Sequence, residues 1–209
     1  MKVQSWKTII ALAASASLAL AIGTAPSQAA APARSATASP GLSASALAKL
    51  PLTNRHLTER ERANLAVVLR AYHVAEGNSL DVPAFVRSFT GDGVFNDVVA
   101  GQTYKGEALG DVLNNMVSIF PDVHRDLKRI TVSGDVVSIE LAIQGTFKGP
   151  LPSPAGIVKP NGAKVDVPTA DFWYLRNGKV EKFNCFVGYS AMFTQMGVNL
   201  DWASAVGNS

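Results

Sequence analysis

A single cysteine, Cys185, is present in 209 residues, which excludes an intrachain disulfide and any zinc site built on thiolates. The three histidines, His56, His73 and His124, are too scattered for a metal-ligand spacing, so no metal is expected. Charge is sparse as well. Only 17% of residues are charged, the net charge is +3, and no basic cluster offers a footprint for nucleic acid. No phosphate loop, dinucleotide fingerprint or nucleophile elbow occurs, and no cofactor is expected.

Long apolar runs are also missing, with one exception. Lys2 and Lys7 precede a run from Ile9 to Ile22, and small residues at Ser27, Ala29 and Ala31 suit signal-peptidase cleavage. Residues 1–30 therefore read as a signal peptide of a secreted or periplasmic protein. An uncleaved anchor is the alternative, but the run is short of the ~20 apolar residues that a span needs. No other stretch is apolar enough to span, so no membrane contact is expected after cleavage. Residues 31–54, rich in Ala, Ser, Pro and Gly up to about Pro51, read as a disordered linker that cannot offset its own ordering entropy.

Periodicity supplies the rest. Thr58 and Glu61 form a capping box before Leu65, Val68, Leu69 and Tyr72 at helical spacing, a helix running to about Glu76. Asp81 caps a short second helix with Pro83 in its first turn. A strand at Val94–Asp97 and a helix from Leu109 to Phe120 follow. Beyond Pro121 the period becomes two, as in Val137, Ile139, Leu141 and Ile143. A Ser133-Gly134 turn of two residues would set His124 opposite Ile143 on the apolar face. Asn177-Gly178 predicts a type I′ hairpin between Lys164–Leu175 and Lys179–Gly188. An unbroken register from that turn sets Asp171 opposite Asn184 and Trp173 opposite Lys182, on the face that holds Gly188. Ala170, Phe172, Tyr174, Phe183, Cys185 and Val187 would form the other face.

The segregated helices and antiparallel strands argue an α+β fold. Several short motifs join that order: Phe89 to Phe95 leading to Gly101-Gln102-Thr103-Tyr104-Lys105-Gly106, Phe120-Pro121-Asp122-Val123-His124, Gly134-Asp135, Gly145-Thr146-Phe147-Lys148-Gly149, Asn177-Gly178-Lys179-Val180 and Gln195-Met196-Gly197. Through them, residues 55–198 resemble the nuclear transport factor 2-like superfamily, and within it the SnoaL-like polyketide cyclase relatives. Residues 199–209 remain as a C-terminal tail. The resemblance implies a cone-shaped, curved antiparallel sheet wrapping N-terminal helices around one pocket. It also implies a small hydrophobic ligand, carbonyl-bearing or polycyclic, with cyclase- or isomerase-type proton transfer.

One position departs from that pattern. Counting from either neighbouring motif, the general base of the cyclase relatives falls on Gly188, and the family's Gly-Thr-His histidine is replaced by Phe147. The chain is then either an enzyme with a substitute base or a non-catalytic binding or accessory module.

Proton abstraction beside a carbonyl needs a base and a donor for the developing enolate oxygen. Asp171 is the candidate base, with the Asn184 amide or a buried His124 as donor; a solvated outer-face Asp–Asn pair and a structural histidine are the competing readings. Tyr72, Phe95, Trp173 and Phe186 are candidates to line the pocket, although aromatics of a core need no ligand to explain them. Asn96 and Asp97 stand where the resembling relatives place pocket polar groups, or are simply a strand end entering a loop, and Gly188 is a candidate ligand contact. The apolar sheet face is expected to pair two chains into a homodimer.

Overall fold

The computed structural model describes residues 42–153 and 155–198. The expected signal segment and C-terminal tail lie outside them. The chain order is α1 (Ala44–Ala48), α2 (Glu59–His73), α3 (Val82–Arg87), β1 (Phe89–Asp97), β2 (Gln102–Lys105), a single 3₁₀ turn (Gly106–Ala108), α4 (Leu109–Ile119), β3 (His124–Ser133), β4 (Val136–Thr146), β5 (Leu151–Ser153), β6 (Gly156–Val158), β7 (Lys164–Arg176), β8 (Lys179–Val187) and α5 (Tyr189–Gln195). Six strands form one sheet in the order β2-β1-β8-β7-β4-β3, and β5 and β6 form a separate hairpin. Strand pairing in this sheet is antiparallel except between β1 and β8, which run parallel, the long chain between them supplying the crossover that a parallel pair requires.

Helix α2 starts where its capping box predicts: the Thr58 and Glu61 side chains each take the other's backbone N–H. Its buried stripe, Leu65, Val68, Ala71 and Tyr72, lies against the sheet. Asp81 caps α3 through the Ala84 N–H at 2.9 Å. Helix α4 places Leu109 and Leu113 in the same core. Residues 42–54, expected as part of a linker, are instead ordered. Ser43 caps α1, Leu52 bridges Ile130 in parallel, and the Asn54 amide donates to the Val132 carbonyl at 2.8 Å, so this segment covers the free edge of β3.

Two bulges change which side chains face inward. The Asn177-Gly178 turn has φ of 52° and 74°, and Arg176 pairs with Lys179 and Leu175 with Val180 as type I′ geometry requires. The ladder then skips Glu181, so Tyr174 pairs with Lys182, Trp173 with Phe183, Phe172 with Asn184 and Asp171 with Cys185. The unbroken register expected from the turn is thus wrong by one residue, and one residue inverts the faces of β8. Asp171 and Asn184 lie on opposite sides of the sheet. Between β3 and β4 the turn is Gly134-Asp135 and the ladder skips Lys128, so Arg125, not His124, stands opposite Ile143.

Candidate functional site

With the bulge in place, the inner face of β7 is one buried stripe: Val165, Val167, Thr169, Asp171, Trp173 and Leu175. Two rows cross β7, β8 and β1 side by side on that face. Trp173, Phe183 and Phe95 form an aromatic row, with Trp173 and Phe183 stacked at 3.7 Å between ring centroids and Phe183 and Phe95 at 4.6 Å. The neighbouring row is protic: Asp171, Cys185 and Asp97. Two strand spacings put the backbones of the two aspartates ~10 Å apart.

These rows form the floor of a cavity of about 250 Å³. Its walls come from Tyr72 of α2, Leu113 and Met116 of α4, Arg125 of β3, and Tyr189 and Met192 of α5. At its base the Tyr72 hydroxyl donates to Asp171 Oδ2 at 2.7 Å and accepts from the Trp173 indole N–H at 3.0 Å. Asp171 Oδ1 has no hydrogen-bond partner of ordinary geometry among the described residues. Burial raises the Asp171 pKa to about 6, although the Tyr72 hydroxyl, the Cys185 thiol and the Arg125 charge all favour its ionised form. Burial also pushes the Tyr72 phenol and the Cys185 thiol well up, and the Asp171 charge adds to both shifts. Elsewhere in the lining the Tyr189 hydroxyl donates to Asp97, and its pKa is raised by burial and then by that carboxylate.

Of the residues singled out from sequence, Asp171, Asp97, Tyr72, Trp173 and Phe95 line this cavity. Asn184, Asn96, His124, Phe186 and Gly188 do not. The Asn96 amide donates to Asn184 Oδ1 at 2.8 Å on the outer face, beside Thr103. His124 is exposed and bound to Glu76 at 2.9 Å, because the shifted turn and the Lys128 bulge pair it with Gln144 instead of Ile143. Phe186 is 37% exposed on the outer face, edge-on to Phe172. Gly188 is the N-cap of α5, and a Cβ there would meet the Pro168 carbonyl oxygen at 2.8 Å. A carboxylate at 188 would need the backbone to move. Arg125, Tyr189 and Cys185 were not chosen as site residues from sequence. Strand alternation counted through the two bulges would have found Arg125 and Cys185, but neither bulge carries a glycine or proline to mark it, and Tyr189 lies on α5, where no strand count reaches.

The sheet curling over α2 and α4 around this cavity is the α+β cone expected from the motifs. Residues 66–196 match the SnoaL-like polyketide cyclase family, and the chain belongs to that family. No curated protein matches the chain in direct comparison. Among solved structures it is similar to a protein from Jannaschia sp. CCS1 described as a SnoaL-like polyketide cyclase, with 22% identity, TM-score 0.60, and 70% of this chain and 100% of that one covered. A protein of ketosteroid isomerase-like fold from Catenulispora acidiphila DSM 44928 is 22% identical, with TM-score 0.52 over 65% of this chain and 95% of that one. SalBIII, an epoxide hydrolase/cyclase-like enzyme in pyran ring formation in the polyether salinomycin, is 23% identical, with TM-score 0.52 over 64% and 97%. These likenesses concern the fold.

Proposed function

We propose that the chain binds a small hydrophobic, carbonyl-bearing ligand in this cavity and moves a proton on it, with Asp171 as the base. The observation that carries this reading is a buried carboxylate with one oxygen held by Tyr72 and the other without a hydrogen-bond partner of ordinary geometry among the described residues. A base raised to about 6 is ionised at neutral pH and more basic than an exposed aspartate, which suits abstraction next to a carbonyl. The volume supports a one- or two-ring ligand over a larger polycycle, since an apolar cavity of ~150 Å³ takes one benzene ring. Family membership and the cyclase names of its structural neighbours agree with that chemistry.

Exchange of α-protons on 2-acetylnaphthalene in D₂O, followed by NMR, tests the reading without a known substrate. The protein should speed exchange, and Asp171→Asn should slow it by about a hundredfold or more while binding persists. Binding without exchange in the unsubstituted protein would favour the non-catalytic module that Gly188 suggests. Export through the N-terminal segment and pairing of two chains through the outer sheet face complete the proposal. The first rests on the sequence of residues 1–31, the second on the apolar side chains of that face.

A further inference from the structure

Proton abstraction leaves negative charge on a ligand oxygen, and the donors expected from sequence, Asn184 and His124, are outside the cavity. We propose that Arg125 is an anion anchor in the cavity wall, and that the ligand is a small apolar compound carrying a carboxylate or a carbonyl that develops enolate charge. The inference rests on the cavity being the ligand site.

Arg125 enters the wall because the Lys128 bulge sets it opposite Ile143 on the inner face of β3. Its side chain is only 10% exposed, and it is the one cation that lines the cavity among the described residues; the other charged groups there, Asp97 and Asp171, are acids. A guanidinium offers five N–H donors in a planar fork. Among the described residues its hydrogen bond is from Nη1 to the Ala75 carbonyl at 2.8 Å. Glu76 balances the charge from 3.7 Å without taking the fork, because its carboxylate accepts the Arg125 backbone N–H at 3.1 Å and meets His124 at 2.9 Å. The guanidinium carbon lies 5.9 Å from the centre of the Tyr72 ring, and the hydroxyl of that ring is bound to Asp171. Cation and base therefore flank one tyrosine. Around them Ile143, Leu151 and Phe120 are apolar, so donors left over on the guanidinium have strong preference for a charged, planar acceptor over a neutral one.

Calorimetric titration of the full chain with 2-naphthoate and with 2-acetylnaphthalene, which share a ring system and differ in charge, tests the anchor. The carboxylate should bind more tightly than the ketone. Arg125→Gln should weaken naphthoate by about tenfold to a hundredfold, the loss of a charge-assisted hydrogen bond, and leave the ketone nearly unchanged. Arg125→Lys, which keeps the charge without the fork, should recover part of the loss. Retained ketone binding also shows that the variant is folded. Ketone binding with no preference for naphthoate overturns the anchor alone, and so does equal weakening of both probes in both variants. Failure of the unsubstituted protein to bind either probe overturns the cavity reading and the anchor with it.

Discussion

Asp171 interrupts a stripe of Val165, Val167, Thr169, Trp173 and Leu175, and its ionised form works against the fold that makes it reactive. In the folded chain its pKa is about 6, above the ordinary 3.8, so the folded state holds a proton that the unfolded state has released between those values. Stability from this group is therefore full below about pH 4, falls as pH rises to about 6, and stays reduced above it, by on the order of 3 kcal/mol. An asparagine in its place would accept from Tyr72 without ionising. Thermal melts of Asp171→Asn should run several degrees above the unsubstituted protein at pH 7.5, with the gap closing at pH 4. A gap independent of pH would remove the buried carboxylate from the account. At this scale the sequence singled out the aspartate, and Tyr72 as a pocket-lining aromatic, but not the bond between them: Tyr72, 99 residues away, meets Asp171 through helix docking that no local pattern encodes.

The strands show where reading by period succeeds and where it fails. Capping box, proline position and type I′ turn are local, and each sets its element boundary as read. The skipped residues Glu181 and Lys128 are not local signals; they let Phe183, Cys185 and Arg125 face the core once the sheet curves. Corrected for the bulge, the outer face of β7 and β8 carries Phe172, Tyr174, Lys182, Asn184 and Phe186 in place of the more apolar set expected, with Lys182 over the Tyr174 ring at 4.1 Å. Phe186 and the nearby Val99 remain exposed there. Light scattering at micromolar concentration should find a dimer that Phe186→Lys converts to monomer; a monomer in the unsubstituted protein ends the pairing proposal.

For the molecule as a whole, export predicts a mature N-terminus between Ala30 and Pro32, and mass spectrometry of secreted material would find it there; an intact Met1 on exported protein overturns it. Among the described residues, the N-terminal contacts of the domain begin with Ser43 and Leu52. Those contacts were illegible in a stretch rich in Ala, Ser and Pro, since the value of Leu52 and Asn54 lies in the β3 edge that they cover. Fold class, the order of the principal elements and the family resemblance were determined by the sequence alone, because caps, turns and periodicity act over a few residues each. The composition of the cavity was decided only in the tertiary structure: one-residue bulges chose which face of β8 and of β3 turned inward, which brought Cys185 and Arg125 beside Asp171 and the docked Tyr72 while sending Asn184 and His124 outside.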